Sequence, residues 1–173
     1  MPSIEALSPI FGADAYRDRI CTHAGGERNL AQLGARLAGT PDLVGLYATE
    51  DAEPGYQPDP AQAGRVVALA RLLPMPPGRA MRDYPSGRMG ASGRDHWPFG
   101  WPAETVFAAR PGGGPVLRDA VELVLGLFDF ADFTASLRQG PVDLRLMPAL
   151  RNRLMREIDQ VIARDPASRL LPF

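Results

Sequence analysis

The sequence predicts a mixed α+β domain in which a small antiparallel or mixed, barrel-like sheet is flanked by helices. Three observations carry this expectation. The apolar runs "DLVGLYATE", "GRVVALARLLPM" and "AETVFAAR" are rich in strand formers and follow one another without a helical period between them, which suits hairpin-like links better than βαβ crossovers. Helical spacing is confined to the segments before and after those runs. The chain has 173 residues, 45% hydrophobic and 23% charged, the size and balance of one globular domain. Residues 1–173 therefore read as a single domain, with an amino-terminal helical segment over 1–40 and a sheet-bearing core over 41–173.

Taken in order, "ADAYRDRICTHAG" is expected to be a short helix closed by Gly25 and Gly26. "ERNLAQLGARLAG" spaces Leu30, Leu33 and Leu37 on one helical face before Gly39 stops it. The first expected strand is "DLVGLYATE", and the prolines of "DAEPGYQPDPAQAG" then force a loop. In "GRVVALARLLPM", Val67, Leu69 and Arg71 alternate, and Pro74 ends the strand. Residues 74–93 have no stable period and read as a long loop of the kind that binds something. After the strand "AETVFAAR" and the turn "PGGGP", the segment "VLRDAVELVLGLF" places Leu117, Val121, Val124 and Leu125 on one face of a helix. A short helix "DFADFTASLRQG", a strand "PVDLRL" and a helix carrying Leu150, Leu154, Ile158 and Val161 complete the chain.

Composition excludes several classes of function. No apolar run approaches the roughly 20 residues that a membrane span needs. The first residues show no basic stretch followed by an apolar block, so a cytoplasmic protein without membrane association is expected. Cys21 is the single cysteine, which rules out an internal disulfide and a cysteine-cluster zinc site. Its C-x-H pairing with His23 offers only two ligands, so neither metal nor cofactor is expected. All 19 basic residues are arginine, which reads first as a coding bias.

Charge is uneven along the chain. Residues 1–64 hold 4 Arg and 9 acids, residues 65–110 hold 7 Arg and 3 acids, and residues 111–173 balance at 8 and 8. In the basic middle, Arg65, Arg71, Arg79, Arg82, Arg88, Arg94 and Arg110 are interleaved with Tyr84, Trp97, Phe99 and Trp101, a mixture suited to phosphate contacts and base stacking. Both tryptophans lie in "GRDHWPFGWPAETVFAAR", and Pro98 and Pro102 fix φ beside each indole. Asp95 and His96 flank Trp97 and could read a base edge or act as a base, but no nucleophile accompanies them. Tyr47 and Thr49, two apart on the first strand, are expected to share a face. "PGGGP" and "PSGRMGASGR" lack a Walker lysine and a strand–loop–helix order, so phosphate-loop readings fail, although Arg88 and Arg94 could clamp a nucleic-acid backbone.

The series "LVGLYATE", "GRVVALARLLPM", "WPAETVFAA", "GPVLRDAVELV" and "FADFTASLRQGPVDLRLMPALRNRLMREI" resembles PUA-like domains of the EVE, YTH and ASCH branch over roughly residues 43–158. The family's usual amino-terminal strand has no clear counterpart here, and Ala68 and Ala70 stand where glycine is commoner. The resemblance implies a module that binds DNA or RNA and takes a modified or flipped base into an aromatic pocket, without catalysis of its own. Under it, Trp97 is the cage residue, Trp101 begins the next strand, Arg71, Arg88 and Arg94 take phosphates, Asp95 and His96 contact the base edge, Tyr47 and Thr49 line the floor, and Phe99 belongs to the aromatic set.

Two alternatives stand beside it. "ALARLLPM" resembles the "A-R-L-L-P" strand of the acyl-homoserine lactone synthases, small acyltransferases with an α/β core, but the Ser-Arg-aromatic expected in the next strand is absent from "WPAETVFAA". The third is an interaction module in which the long loop and the terminal "PASRLLPF" engage a protein partner or a second copy of the chain, although such an apolar end more often folds back on its own domain.

Overall fold

A computed structural model of the protein describes residues 2–10, 21–24, 27–50, 59–85, 93, 98–125, 130–138 and 141–173. Its core is one mixed sheet of six strands in the order β2-β5-β4-β3-β1-β6. The strands are β1 (Ile4–Ile10), β2 (Cys21–Ala24), β3 (Leu43–Ala48), β4 (Val66–Leu72), β5 (Phe99–Ala108) and β6 (Val142–Asp143). The three apolar runs read from the sequence are β3, β4 and β5, and they pair antiparallel as consecutive neighbours. β1 pairs parallel with β3, so β1, β3 and β5 run in one direction.

Four expectations are corrected. Residues 21–24 form a strand along β5, where a helix was expected; Thr22 pairs with Trp101 and Ala24 with Phe99. "IEALSPI" is β1, at odds with an amino-terminal segment made of helices, because its ladder partner β3 lies distant in sequence and no local period announces it. Among the described residues the sheet is open, with β2 and β6 at its edges, and does not close into a barrel. "PVDLRL" yields only the two-residue β6, and Leu144–Leu146 turns into a 3-10 helix started by the Asp143 carboxylate, which accepts the Arg145 amide at 2.9 Å.

Helices cover both faces. α1 (Glu27–Leu37) buries Leu30, Leu33, Gly34 and Leu37, as its spacing predicted, and joins a cluster with Ala6, Val44, Leu46, Ala70, Leu72 and Ala103. Gly39 ends it with φ +77°, and its amide donates to Leu72 O at 3.1 Å. The opposite face carries α2 (Leu117–Leu125), α3 (Phe130–Arg138) and α4 (Pro148–Arg164). Leu117, Val121, Phe133, Leu150, Leu154, Ile158 and Val161 pack there on Ile4, Leu7, Leu43, Leu69 and Phe107. Each fully buried side chain of this kind contributes about 1.5–3 kcal/mol.

Bulges explain why alternation in the strands is imperfect. The register slips at Val67 on β4 and at Val106 on β5, and each extra residue sends two successive side chains to one face. Val67 and Ala68 thus both reach the α1 side, and Val106 and Phe107 both reach the α2–α4 side. A third slip, at Glu5 of β1, aims that buried carboxylate between Arg36 of α1 and Arg151 of α4, each at 3.1 Å.

Candidate anion-binding cleft

β5 leads directly into "RPGGGP" and then α2, so a strand does precede the glycine run and a helix does follow it. The order expected to be missing is present. The turn is nonetheless built for closeness and offers little to an anion. The Gly112 amide donates to Ala61 O at 2.7 Å and the Gly113 amide to Arg110 O at 2.8 Å, so both are spent within the protein. Gly112 sits at φ +78°, and a Cβ on Gly114 would stand 2.3 Å from Val66 O. A Walker-type amide cradle is therefore ruled out by the hydrogen bonds of the turn itself.

What the turn does is form one wall of a cleft of about 690 Å³ whose other wall is the carboxyl half of α4. The cleft lies beyond the carboxyl ends of β3 and β5 and the amino end of β4. Three arginines line it: Arg65, Arg110 and Arg164. Arg65 Nη1 donates to Gly114 O at 2.7 Å, which pins the turn and leaves the other guanidinium donors. Arg110 is 70% exposed and its Nε meets Asp165 Oδ2 at 2.8 Å, whereas Asp165 is 25% exposed. Glu157, the other lining carboxylate, is held by Arg153 one helical turn away. Arg164 is exposed and its side chain has no partner among the described residues.

The residues singled out from the sequence are dispersed. Tyr47 is 3% exposed and sits in the cluster beneath α2–α4; Thr49 is 5% exposed, and its hydroxyl has no partner among the described residues. Trp101 packs on the other face, beside α1, at the opposite end of the sheet, and its Nε1 donates to Leu73 O at 2.8 Å. The sheet lies between Tyr47 and Trp101, so they do not line one pocket. Phe99 is half-buried at the start of β5. Arg71 pairs with Glu104 at 2.8 Å and donates to Pro172 O at 2.9 Å, so its guanidinium serves the carboxyl-terminal tail. Arg88, Arg94, Asp95, His96 and Trp97 lie outside the described residues.

The tail folds back on the domain. Leu170 N donates to Val106 O at 2.9 Å, Arg169 bridges to Phe107, and the Arg169 guanidinium lies 4.9 Å over the Phe173 ring. Sequence reasoning had Arg65 and Arg110 as members of the basic stretch but not as a pair, and it missed Arg164, Glu157 and Asp165. The signal that could have found them is the glycine run between an expected strand and an expected helix. Among the described residues, no helix is long and apolar enough to cross a membrane, and no group of three His, Cys, Asp or Glu could hold a metal ion. Compared with protein-family models, with curated proteins and with solved structures, the chain matches none.

Proposed function

We propose that this chain binds nucleic acid by phosphate contacts in the cleft between the 110–115 turn and α4. The observation that supports this is the meeting of Arg65 and Arg110, the first and last arginines of the basic stretch, with Arg164 in one cleft whose two carboxylates are each already taken by an arginine. An open, arginine-lined cleft without loop amides suits phosphates gripped by side chains, the contacts that fix a strand without reading its sequence. The base-reading part of the proposal falls on Trp97, Asp95 and His96. A PUA-like relationship is supported by the hairpin series β3–β4–β5 followed by helices, and the open sheet speaks against it. A cytoplasmic site of action, supported by the single cysteine, belongs to the same proposal.

A second reading is a small-molecule site of an acyltransferase-like enzyme. It is favoured by the cleft's volume, which falls in the range of about 300–1,000 Å³ typical of small-molecule sites, and by the strand–loop–helix that forms it.

The test is a titration of labelled single-stranded DNA and RNA at several salt concentrations. Arg110→Ala and Arg164→Ala should each weaken binding of every sequence and lower the salt slope by about one. Salt-independent or absent binding would overturn the reading. Where one modified base is preferred, Trp97→Ala should remove that preference and keep the phosphate-driven affinity.

A further inference from the structure

We infer that the cleft selects the phosphate monoester at the end of a strand over the diesters along it, an inference that rests on the nucleic-acid reading above. The reason lies in the partner that Arg110 already has. Its Nε is 2.8 Å from Asp165 Oδ2, so a ligand that recruits this guanidinium has to displace a carboxylate carrying one negative charge. A phosphodiester also carries one, and the exchange gains no charge. A terminal phosphate carries about −1.5 to −2 near neutral pH and has three strong acceptor oxygens.

The neighbourhood matches that second ligand. Arg164 has no competing side-chain partner among the described residues, and Arg65 commits only Nη1, to Gly114 O. The amides of Gly112 and Gly113 are spent on carbonyls, so the positive charge the anion meets comes from the guanidinium groups. Nor do the other described arginines of the basic stretch continue the cleft as a track for a backbone: Arg71 is committed to Glu104 and Pro172, and Arg79 and Arg82 follow the far end of β4. Three cations gathered around one cleft suit one concentrated charge better than a row of single ones.

The experiment compares oligonucleotides of one sequence carrying a 5′-phosphate, a 3′-phosphate or neither, with a nucleoside monophosphate as competitor, on the wild-type chain and on Asp165→Asn. The expected result is at least a tenfold preference for a phosphorylated end, narrowed in Asp165→Asn because the unphosphorylated strand gains. Asn keeps the size of the side chain, and the carboxylate of Asp165 has no hydrogen-bond or ion-pair partner besides Arg110 among the described residues. Competition by the monophosphate as strong as by the phosphorylated strand would support the monoester selectivity and name a free nucleotide as its source. Equal binding whatever the end, or a preference that Asp165→Asn leaves unchanged, would overturn the inference and leave the nucleic-acid reading standing. Binding of none of these ligands would remove both.

Discussion

The indole of Trp101 occupies the space in which a side chain at position 34 would begin. A Cβ on Gly34 would stand 2.2 Å from Cε3, 2.3 Å from Cζ3 and 2.4 Å from Cδ2 of the ring, so α1 docks on β5 only because residue 34 has no side chain. The ring is fixed from its other end, where Nε1 donates to Leu73 O at 2.8 Å. In Gly34→Ala, better helix propensity contributes about 1 kcal/mol, and overpacking against a rigid ring costs about 1–3 kcal/mol. A net loss of up to about 2 kcal/mol is expected, read as a lower urea midpoint with an unchanged slope. Trp101→Phe should cost about 0.5–1.5 kcal/mol by removing the hydrogen bond to the part-buried Leu73 carbonyl. Gly34→Ala as stable as the wild type would show that α1 is not seated on Trp101.

Arg71 should prove to be a residue of the tail. It holds Glu104 of the neighbouring strand and the carbonyl of Pro172, and the ion pair itself, between side chains that remain partly exposed, contributes at most about 1 kcal/mol. Arg71→Ala is therefore expected to leave oligonucleotide affinity and its salt slope unchanged while loosening residues 169–173, seen as faster trimming by a carboxypeptidase. A loss of affinity equal to that of Arg110→Ala would return Arg71 to the set of phosphate contacts.

The carboxyl of Asp143 is held below the usual aspartate range. The cause is first its hydrogen bonding to the Arg145 side chain, at 2.6 Å from Nη2 and 3.1 Å from Nε; partial burial opposes this, and the Arg145 amide and the charges of Arg36 and Arg145 add to it. A carboxylate whose folded pKa is depressed contributes stability that is present above its unfolded pKa and lost as pH falls through the folded value. The stability difference between the wild type and Asp143→Asn should thus be constant near neutral pH and shrink under acid conditions below the ordinary aspartate range. A difference that persists unchanged through the acid limb would show that the ion pair with Arg145 does not set the titration of this group.

Much of the fold was legible because its cause is local. The spacing of Leu30, Leu33 and Leu37, or of Leu150, Leu154, Ile158 and Val161, specifies an apolar helical face wherever the helix is placed, and all seven are buried. β3, β4 and β5 were legible as apolar runs cut by proline and glycine. β1 was not, since its seven residues become a strand only by pairing with β3 and β6 from elsewhere in the chain. β2 was read as helix because its four residues have no period of their own, and their ladder partner on β5 lies far along the chain.

For the site, the division follows the same physics. The sequence alone determined that residues 65–110 carry a surplus of positive charge and that three glycines stand together at 112–114. Only the tertiary structure decided which arginines share a cleft. Arg65 at the start of β4, Arg110 after β5 and Arg164 near the end of α4 come together because the sheet orders those elements side by side and α4 packs across them, and the same packing turns Arg71 to the tail and puts Tyr47 and Trp101 on opposite faces. Periodicity is a property of neighbouring residues and can be read along the chain; a ligand site is made of distances between residues far apart in it, and those are set when the sheet and helices pack.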